Sequence, residues 1–386
     1  MDVPGSLPHD HVDPDGLLEY SVVFTDRSLN HMSAAFQEVM RDISASLKGV
    51  YGARSVVAVP GGGTFAMEAV ARQFARDARC MVIRNGWFSY RWTQIFDASG
   101  LPDSVEVLMA RPTSDRVDAP WTPPPLEEVV ARIRDTRPEL VFAAHVETSA
   151  GILLPDAYIQ AVAEAVHAVG GMLVLDCIAS GALWVDMRTT GVDILISAPQ
   201  KGWSASPSCG LVMLAKSARE RIEATTSDSF ACDLRKWLQI MEIYEGGGHA
   251  YHATLPTDAL RGFRDAMRET ESHGLEAMRS AQVDLGRRVR KLLAQRGFES
   301  VAAPGFEASS VVVCHTDDDG MKSGARMAAA GLQVAAGVPL QCGEPDGFRT
   351  FRIGLLGLDK LLDVEGTVDR LAAALDHAAA AMAGQA

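Results

Sequence analysis

The sequence predicts an open α/β fold, a mostly parallel sheet between helices, with its ligand site at the carboxyl ends of the strands. Three observations carry this expectation. Short apolar runs rich in β-branched residues alternate with patterns of helical period from Ser55 to Leu214. One run, Gly171 to Leu175, is apolar almost throughout, as a strand covered on both faces must be. The glycine-rich and polar segments follow the runs directly, where open sheets gather ligands.

The 386 residues suffice for a large core and a second, smaller domain. A formal charge of -13 and a pI near 5.2 oppose phosphate-backbone binding, which needs clustered Lys and Arg. Neither nucleic acid nor an anionic membrane is an expected partner, and no apolar run approaches the roughly 20 residues of a bilayer span. Met1 to Gly16 has neither a basic start nor an apolar core, so it reads as a loose leader and the expected location is the cytoplasm. Cys80, Cys177, Cys209, Cys232, Cys314 and Cys342 lack metal-ligand or redox spacing and suit reduced thiols. The pairs His9/His11, in an acidic arm, and His249/His252, with no third ligand nearby, are not expected to hold a metal.

Taken in order, the first helix is expected over Ala34 to Leu47, capped by Ser33, with Phe36, Val39, Met40, Ile43 and Leu47 on one face. Ser55 to Val59 is a strand, and Pro60-Gly61-Gly62-Gly63-Thr64 turns it into the helix Phe65 to Phe74. That order aims backbone N–H groups and a helix dipole at one point, which suits a phosphate; the alternative is a glycine turn without a ligand. Gly61, Gly63 and Ala66 also fit a dinucleotide fingerprint, but the next strand, Cys80 to Ile83, ends in Arg84-Asn85 and not in the acidic residue that a ribose requires. The aromatic cluster Trp87 to Trp92 is either core or a flat face for a ring. Val105 to Met109 is a strand, Arg111 to Pro125 a proline-rich connection and Leu126 to Arg134 a helix. Leu140 to Ala144 is a strand whose polar tip, His145 to Gly151, leads to a helix from Asp156 to Val169.

Gly171 to Leu175 ends in Asp176, a carboxylate that is costly there unless it caps a helix or meets a cationic nitrogen. Pro199 stops the run Gly191 to Ser197 and delivers Lys201 on the loop beyond. Among apolar and neutral neighbours an ammonium loses hydration, so its pKa falls and the amine can condense with an aldehyde; otherwise Lys201 is a surface lysine. Gly210 to Leu214 is a strand suited to return antiparallel, and Thr257 to Glu271 and Leu275 to Gln295 are helices broken at Ser272-His273-Gly274. Strands at Ser309 to Cys314, Leu332 to Val334 and Phe351 to Ile353 alternate with helices Lys322 to Ala330 and Leu361 to Ala381. Arg352, inside an apolar strand, requires an anion, structural or substrate, and Cys342, in a polar loop, is expected to be exposed.

With Gly61-Gly62-Gly63-Thr64 and Glu68, Asn85-Gly86, Glu147-Thr148-Ser149-Ala150-Gly151, Asp176-Cys177-Ile178-Ala179-Ser180, Ser197 to Lys201, Tyr251 to Pro256 and Arg352 to Gly357 in this order, the chain resembles the class V aminotransferases, in particular the alanine-glyoxylate and serine-pyruvate enzymes. The resemblance implies a fold type I enzyme of pyridoxal 5′-phosphate (PLP). Its large domain, 20–272, would hold a mostly parallel seven-stranded sheet, with a leader at 1–19 and a smaller C-terminal α/β domain at 273–386. It implies amino transfer from a small amino acid of the alanine or serine type to a 2-oxo acid, glyoxylate or pyruvate. Lys201 would hold PLP as an internal aldimine and shuttle the proton, and Asp176 would keep the pyridinium nitrogen protonated. Gly62, Gly63, Thr64 and Gln200 would hold the phosphate, with Tyr251 and Thr254 reaching in from the partner subunit of a homodimer. Phe88 and Ile178 would sandwich the ring, Thr148 would contact its 3′-oxygen, and Arg352 would fork onto the substrate carboxylate.

Relatives carry a Gly-Pro-Gly-Pro segment lining the pocket where this chain has Val23 to His31. Arg27 or His31 is therefore a candidate contact for a substrate group that small-acid transaminases do not meet. Two alternatives stand within the resemblance: a lyase or desulfurase with Cys342 as persulfide carrier, and an aminoethylphosphonate-type transaminase, prompted by Arg27.

Overall fold

The computed structural model describes residues 7–383. Seven strands build the central sheet: β1 Ser55–Pro60, β2 Arg79–Arg84, β3 Ser104–Met109, β4 Leu140–Ala144, β5 Met172–Asp176, β6 Ile194–Ser197 and β7 Cys209–Leu214. Their order is β1-β7-β6-β5-β4-β2-β3. β7 pairs antiparallel with both β1 and β6, as its place after the lysine loop suggested, and the other pairings are parallel. β4, β5 and β6 are buried along their whole length, which is why their sequences are apolar without alternation.

The helix α1, Ala34–Tyr51, starts where Ser33 Oγ accepts from Phe36 N at 3.1 Å and stops at Gly52, φ 67°. Phe36, Val39, Met40, Ile43 and Leu47 are buried in the core that the helix shares with the sheet. Burying each is worth about 1.5–3 kcal/mol against about 1 for the cap, so the apolar face decides where this helix lies and the cap only where it starts. The helices α2 Gly63–Phe74, α3 Trp87–Ser99, α4 Leu126–Thr136, α5 Asp156–Ala168, α6 Leu234–Glu245 and α7 Thr257–Ser272 follow, and α1 to α7 bury their apolar faces in the same core as the sheet. Among the described residues no helix is long and apolar enough to cross a membrane.

Beyond α8, Leu275–Ala294, lies a second layer, a three-stranded antiparallel sheet of β8 Val311–His315, β9 Ala335–Ala336 and β10 Thr350–Gly354, with α9 Val364–Ala383. Met278, Leu285, Val289 and Leu293 of α8 meet Val312, Phe351, Leu371 and Leu375 in a core of their own.

Three expectations are corrected here. Leu332 to Val334 is not a strand: Leu332 N donates to Met327 O and Gly331, φ 84°, donates to Ala328 O, so Leu332 closes a helix end and the strand begins at Ala335. The helix expected over Lys322 to Ala330 is split by left-handed Gly324 into Asp319–Ser323 and Ala325–Ala329. The last helix starts at Val364, because the Asp363 carboxylate accepts from Gly366 N and caps it. The leader is less loose than its composition suggests: Arg261 donates to Val12 O, and Glu19 accepts from Asn30 at 2.7 Å. Residues 1–6 of that leader lie outside the described residues.

Candidate active site

Lys201 follows β6 on a turn held from several sides. Ala205 N donates to Pro199 O at 3.1 Å, and a Cβ on Gly202 would stand 2.3 Å from Gly181 O, so the turn lies flat on its neighbour. Ser204, left-handed at φ 55°, accepts from Leu358 N and ties the turn to the second layer. The amine itself is half-buried. Loss of hydration, and then the charge of Arg352, hold it below the ordinary lysine range, and no carboxylate offsets them.

Asp176 ends β5 and is buried, with Ile178 N donating to Oδ1 at 2.8 Å. Ile178 begins no helix, so the helix-cap alternative falls. Burial, only partly offset by that bond, and the charge of Glu147 push the carboxyl up to about 7. A buried acid with no cation bonded to it fits a ligand that brings one.

Gly62 precedes α2 in extended conformation, with open space where a Cβ would stand and no side chain capping the helix. Gly63 is required by close approach, since its Cβ would lie 2.4 Å from Ile178 Cδ1. Thr64 is exposed on the first turn. An uncapped helix start with room in front of it is an anion site in waiting. Gln200, one residue before the lysine, has a buried amide oxygen without a donor.

Phe88 is aimed by Glu147, whose carboxylate accepts from Phe88 N, Ser89 N, Ser89 Oγ, Ser149 N and Ser149 Oγ at 2.7–3.1 Å. A Cβ on Gly86 would collide with Ser149 Oγ at 2.0 Å, so strand end, helix start and the turn carrying half-buried Thr148 are locked together. The Phe88 ring lies 5.6 Å from Arg352 Cζ and 5.3 Å from Arg91 Cζ. Arg352 is not sunk in a strand core: it is half-buried, donates Nε to Ala336 O at 2.8 Å, and has no carboxylate partner among the described residues. Among the described residues no structural anion pairs with it, which leaves its remaining N–H groups for a ligand's acid group.

The set fits PLP: a neutral helix-start cradle for a phosphate, a buried acid for a cationic ring nitrogen, and a lysine whose pKa is lowered by burial. Residues 17–346 match the family Aminotransferase class-V. The chain belongs to the class V aminotransferases. It is 32% identical over 339 residues, 86% of each chain, to 2-aminoethylphosphonate-pyruvate transaminase of Paraburkholderia phymatum. It is 31% identical, over 91% of this chain and 90% of the other, to 2-aminoethylphosphonate-pyruvate transaminase 2 of Paraburkholderia xenovorans. Alanine-glyoxylate aminotransferase from Nostoc sp. shares the fold, with TM-score 0.75 at 23% identity over 90% and 89% of the two chains. This class V aminotransferase has the fold type I architecture expected from its sequence, and its cofactor is pyridoxal 5′-phosphate.

Not every sequence candidate reaches this aminotransferase's cradle. Tyr251 and Thr254 sit on an exposed loop and hydrogen-bond each other at 3.1 Å. Tyr251 packs on His31, which is buried between it and Phe24, while Arg27 is exposed. Cys342 is not exposed as expected. It is half-buried with Sγ donating to Arg84 O, and burial pushes its thiol up to about 12, far from a reactive thiolate. Sequence reasoning missed the role of Glu147 in aiming Phe88. The signals for Glu147 were an acid among the polar residues of a strand tip and its place in the Glu147 to Gly151 segment of the family resemblance.

Proposed function

We propose that this aminotransferase moves the amino group of a donor with an anionic head group, of the 2-aminoethylphosphonate type, to pyruvate. The observation that carries the reading is Arg352, with Nε spent on Ala336 O, no carboxylate partner among the described residues, and a charge that depresses Lys201. An acid group held there brings its amine to the lysine, and relatives at 31–32% identity are named for this donor and acceptor. Alanine or serine with glyoxylate is the competing pair.

PLP, when bound, supplies an electron sink for the electron pair left on the donor's amine-bearing carbon. On our reading Lys201 Nζ takes the proton from that carbon and would pass it to C4′ of the cofactor, its burial favouring the free base. Asp176 would meet the ring nitrogen, Thr148 would contact the 3′-oxygen, and Phe88 and Ile178 would cover the two ring faces. Gly62, Gly63, Thr64 and Gln200 hold the phosphate. Tyr251 and Thr254 serve the partner subunit's cradle in a homodimer, a reading supported by exposed Tyr20, Val22, Phe65, Phe230 and Tyr251. We take 20–272 as the large domain and 273–386 as the small one. Six unpaired cysteines support a reducing, cytoplasmic location.

A donor and acceptor panel tests this. With pyruvate, 2-aminoethylphosphonate is expected to exceed alanine or serine with glyoxylate by about 100-fold in kcat/KM. No alanine formed from 2-aminoethylphosphonate and pyruvate would overturn it.

A further inference from the structure

Arg91, on the second turn of α3, has no role in the account so far. Several arginines of this half of the chain are paired, Arg72 with Glu68 and Asp228, Arg79 with Glu139, Arg111 with Glu128, whereas Arg84 is spent on Gln341 O and Thr93 Oγ1. Arg91 is half-buried, and its one hydrogen-bond partner among the described residues is neutral, Thr64 Oγ1, at 3.1 Å from Nη1. Thr64 is on the first turn of uncapped α2, so the guanidinium leans across the helix start.

Charge decides what belongs there. The phosphate ester of PLP carries about -1.5 to -2 at neutral pH, whereas a helix start offers about +0.5. Gly62, Gly63, Thr64 and Gln200 are all neutral, as are Tyr251 and Thr254. Lys201 is committed to the aldehyde, and Arg352 stands with Lys201, whose pKa it depresses. A dianion in this cradle lacks about one full positive charge, and Arg91 is the cation tethered to the cradle.

We propose that Arg91 is the phosphate anchor of this enzyme, donating to the cofactor's phosphate ester over the start of α2. The inference rests on the cradle read above. Bound there, Arg91 trades its neutral partner for a charge-assisted one and fixes the phosphate end of the ring against Phe88, whose face it already covers at 5.3 Å.

The test compares two aldehydes that differ only in the phosphate. Cofactor-free wild type, Arg91→Met, Arg91→Lys and Thr64→Val are titrated with PLP and with pyridoxal, followed by absorbance, with inorganic phosphate as competitor. The expected result is a loss of PLP affinity in Arg91→Met of about tenfold or more, partial recovery in Arg91→Lys and a smaller loss in Thr64→Val. Pyridoxal affinity is unchanged across the set, and inorganic phosphate competes less well in Arg91→Met by a similar factor. Equal losses for both aldehydes would make Arg91 merely structural, and unaltered PLP affinity with a raised donor KM would give it to the substrate; either overturns the proposal. Failure of the wild type to bind PLP at all would instead refute the cradle, and Arg91's role with it.

Discussion

Lys201 and Asp176 are one problem with two signs, an ionisable group taken out of water with no ion-pair partner among the described residues. Burial pushes the lysine down and the aspartate up, and each shift favours the neutral form. For Asp176 the consequence reaches stability. Its folded value of about 7 stands above the ordinary 3.8, so the folded state holds this proton more tightly than the unfolded chain does. The stability it lends is present below about 4 and is lost as pH rises through about 7. Cofactor-free Asp176→Asn should therefore be about 1–4 kcal/mol more stable than wild type at pH 8 and not at pH 4, measured by urea unfolding. The same variant with PLP should lose about 10²–10³-fold in turnover. A wild-type advantage at pH 8 without cofactor would contradict this. Cys342→Ala should leave amino transfer unaltered, and loss of turnover in a folded variant would reopen a chemical role for that thiol.

At the scale of elements, the decisive piece is the start of α3, held by a carboxylate that comes from the tip of β4. Glu147→Gln swaps an acceptor for a donor where five N–H and O–H groups converge, at a cost of about 1–3 kcal/mol in the thermal or urea transition, and frees Phe88. Gly63→Ala should leave the fold standing but weaken PLP binding, because Ile178 must swing away from a Cβ at 2.4 Å; unimpaired binding would count against Ile178 as a wall of the site. Local patterns were legible where one element decides its own fate. Ser33 capped α1, five apolar positions marked its face, and β7 turned back as expected. They failed where distant residues decide: Glu147 acts on a helix 58 positions away, Cys342 is covered by Arg84, and Leu332 reads as a strand residue until its contact with Met327 closes a helix.

The whole molecule brings together what no local pattern could. Arg352 comes from the second layer to a ring at the start of α3, and Ser204 reaches back to Leu358, so the lysine turn is shared by both cores. Only the resemblance to a known family joined Arg352 to Lys201 in advance, since its strand alone allowed a structural anion. The proposed sharing of cradles between subunits has its own signature. Mixing Lys201→Ala with Tyr251→Ala subunits should restore activity to preparations that are each impaired, through hybrid dimers carrying one intact site. No recovery on mixing, with exchange verified by mass, would place Tyr251 outside the partner's site.

The most direct test of the central claim is chemical. The PLP-loaded enzyme is reduced with borohydride, digested and mapped by mass spectrometry. The account predicts a pyridoxyl phosphate group on Lys201 and on no other lysine, and no label in Lys201→Ala; the group on a different side chain, or an unlabelled wild type, would contradict it.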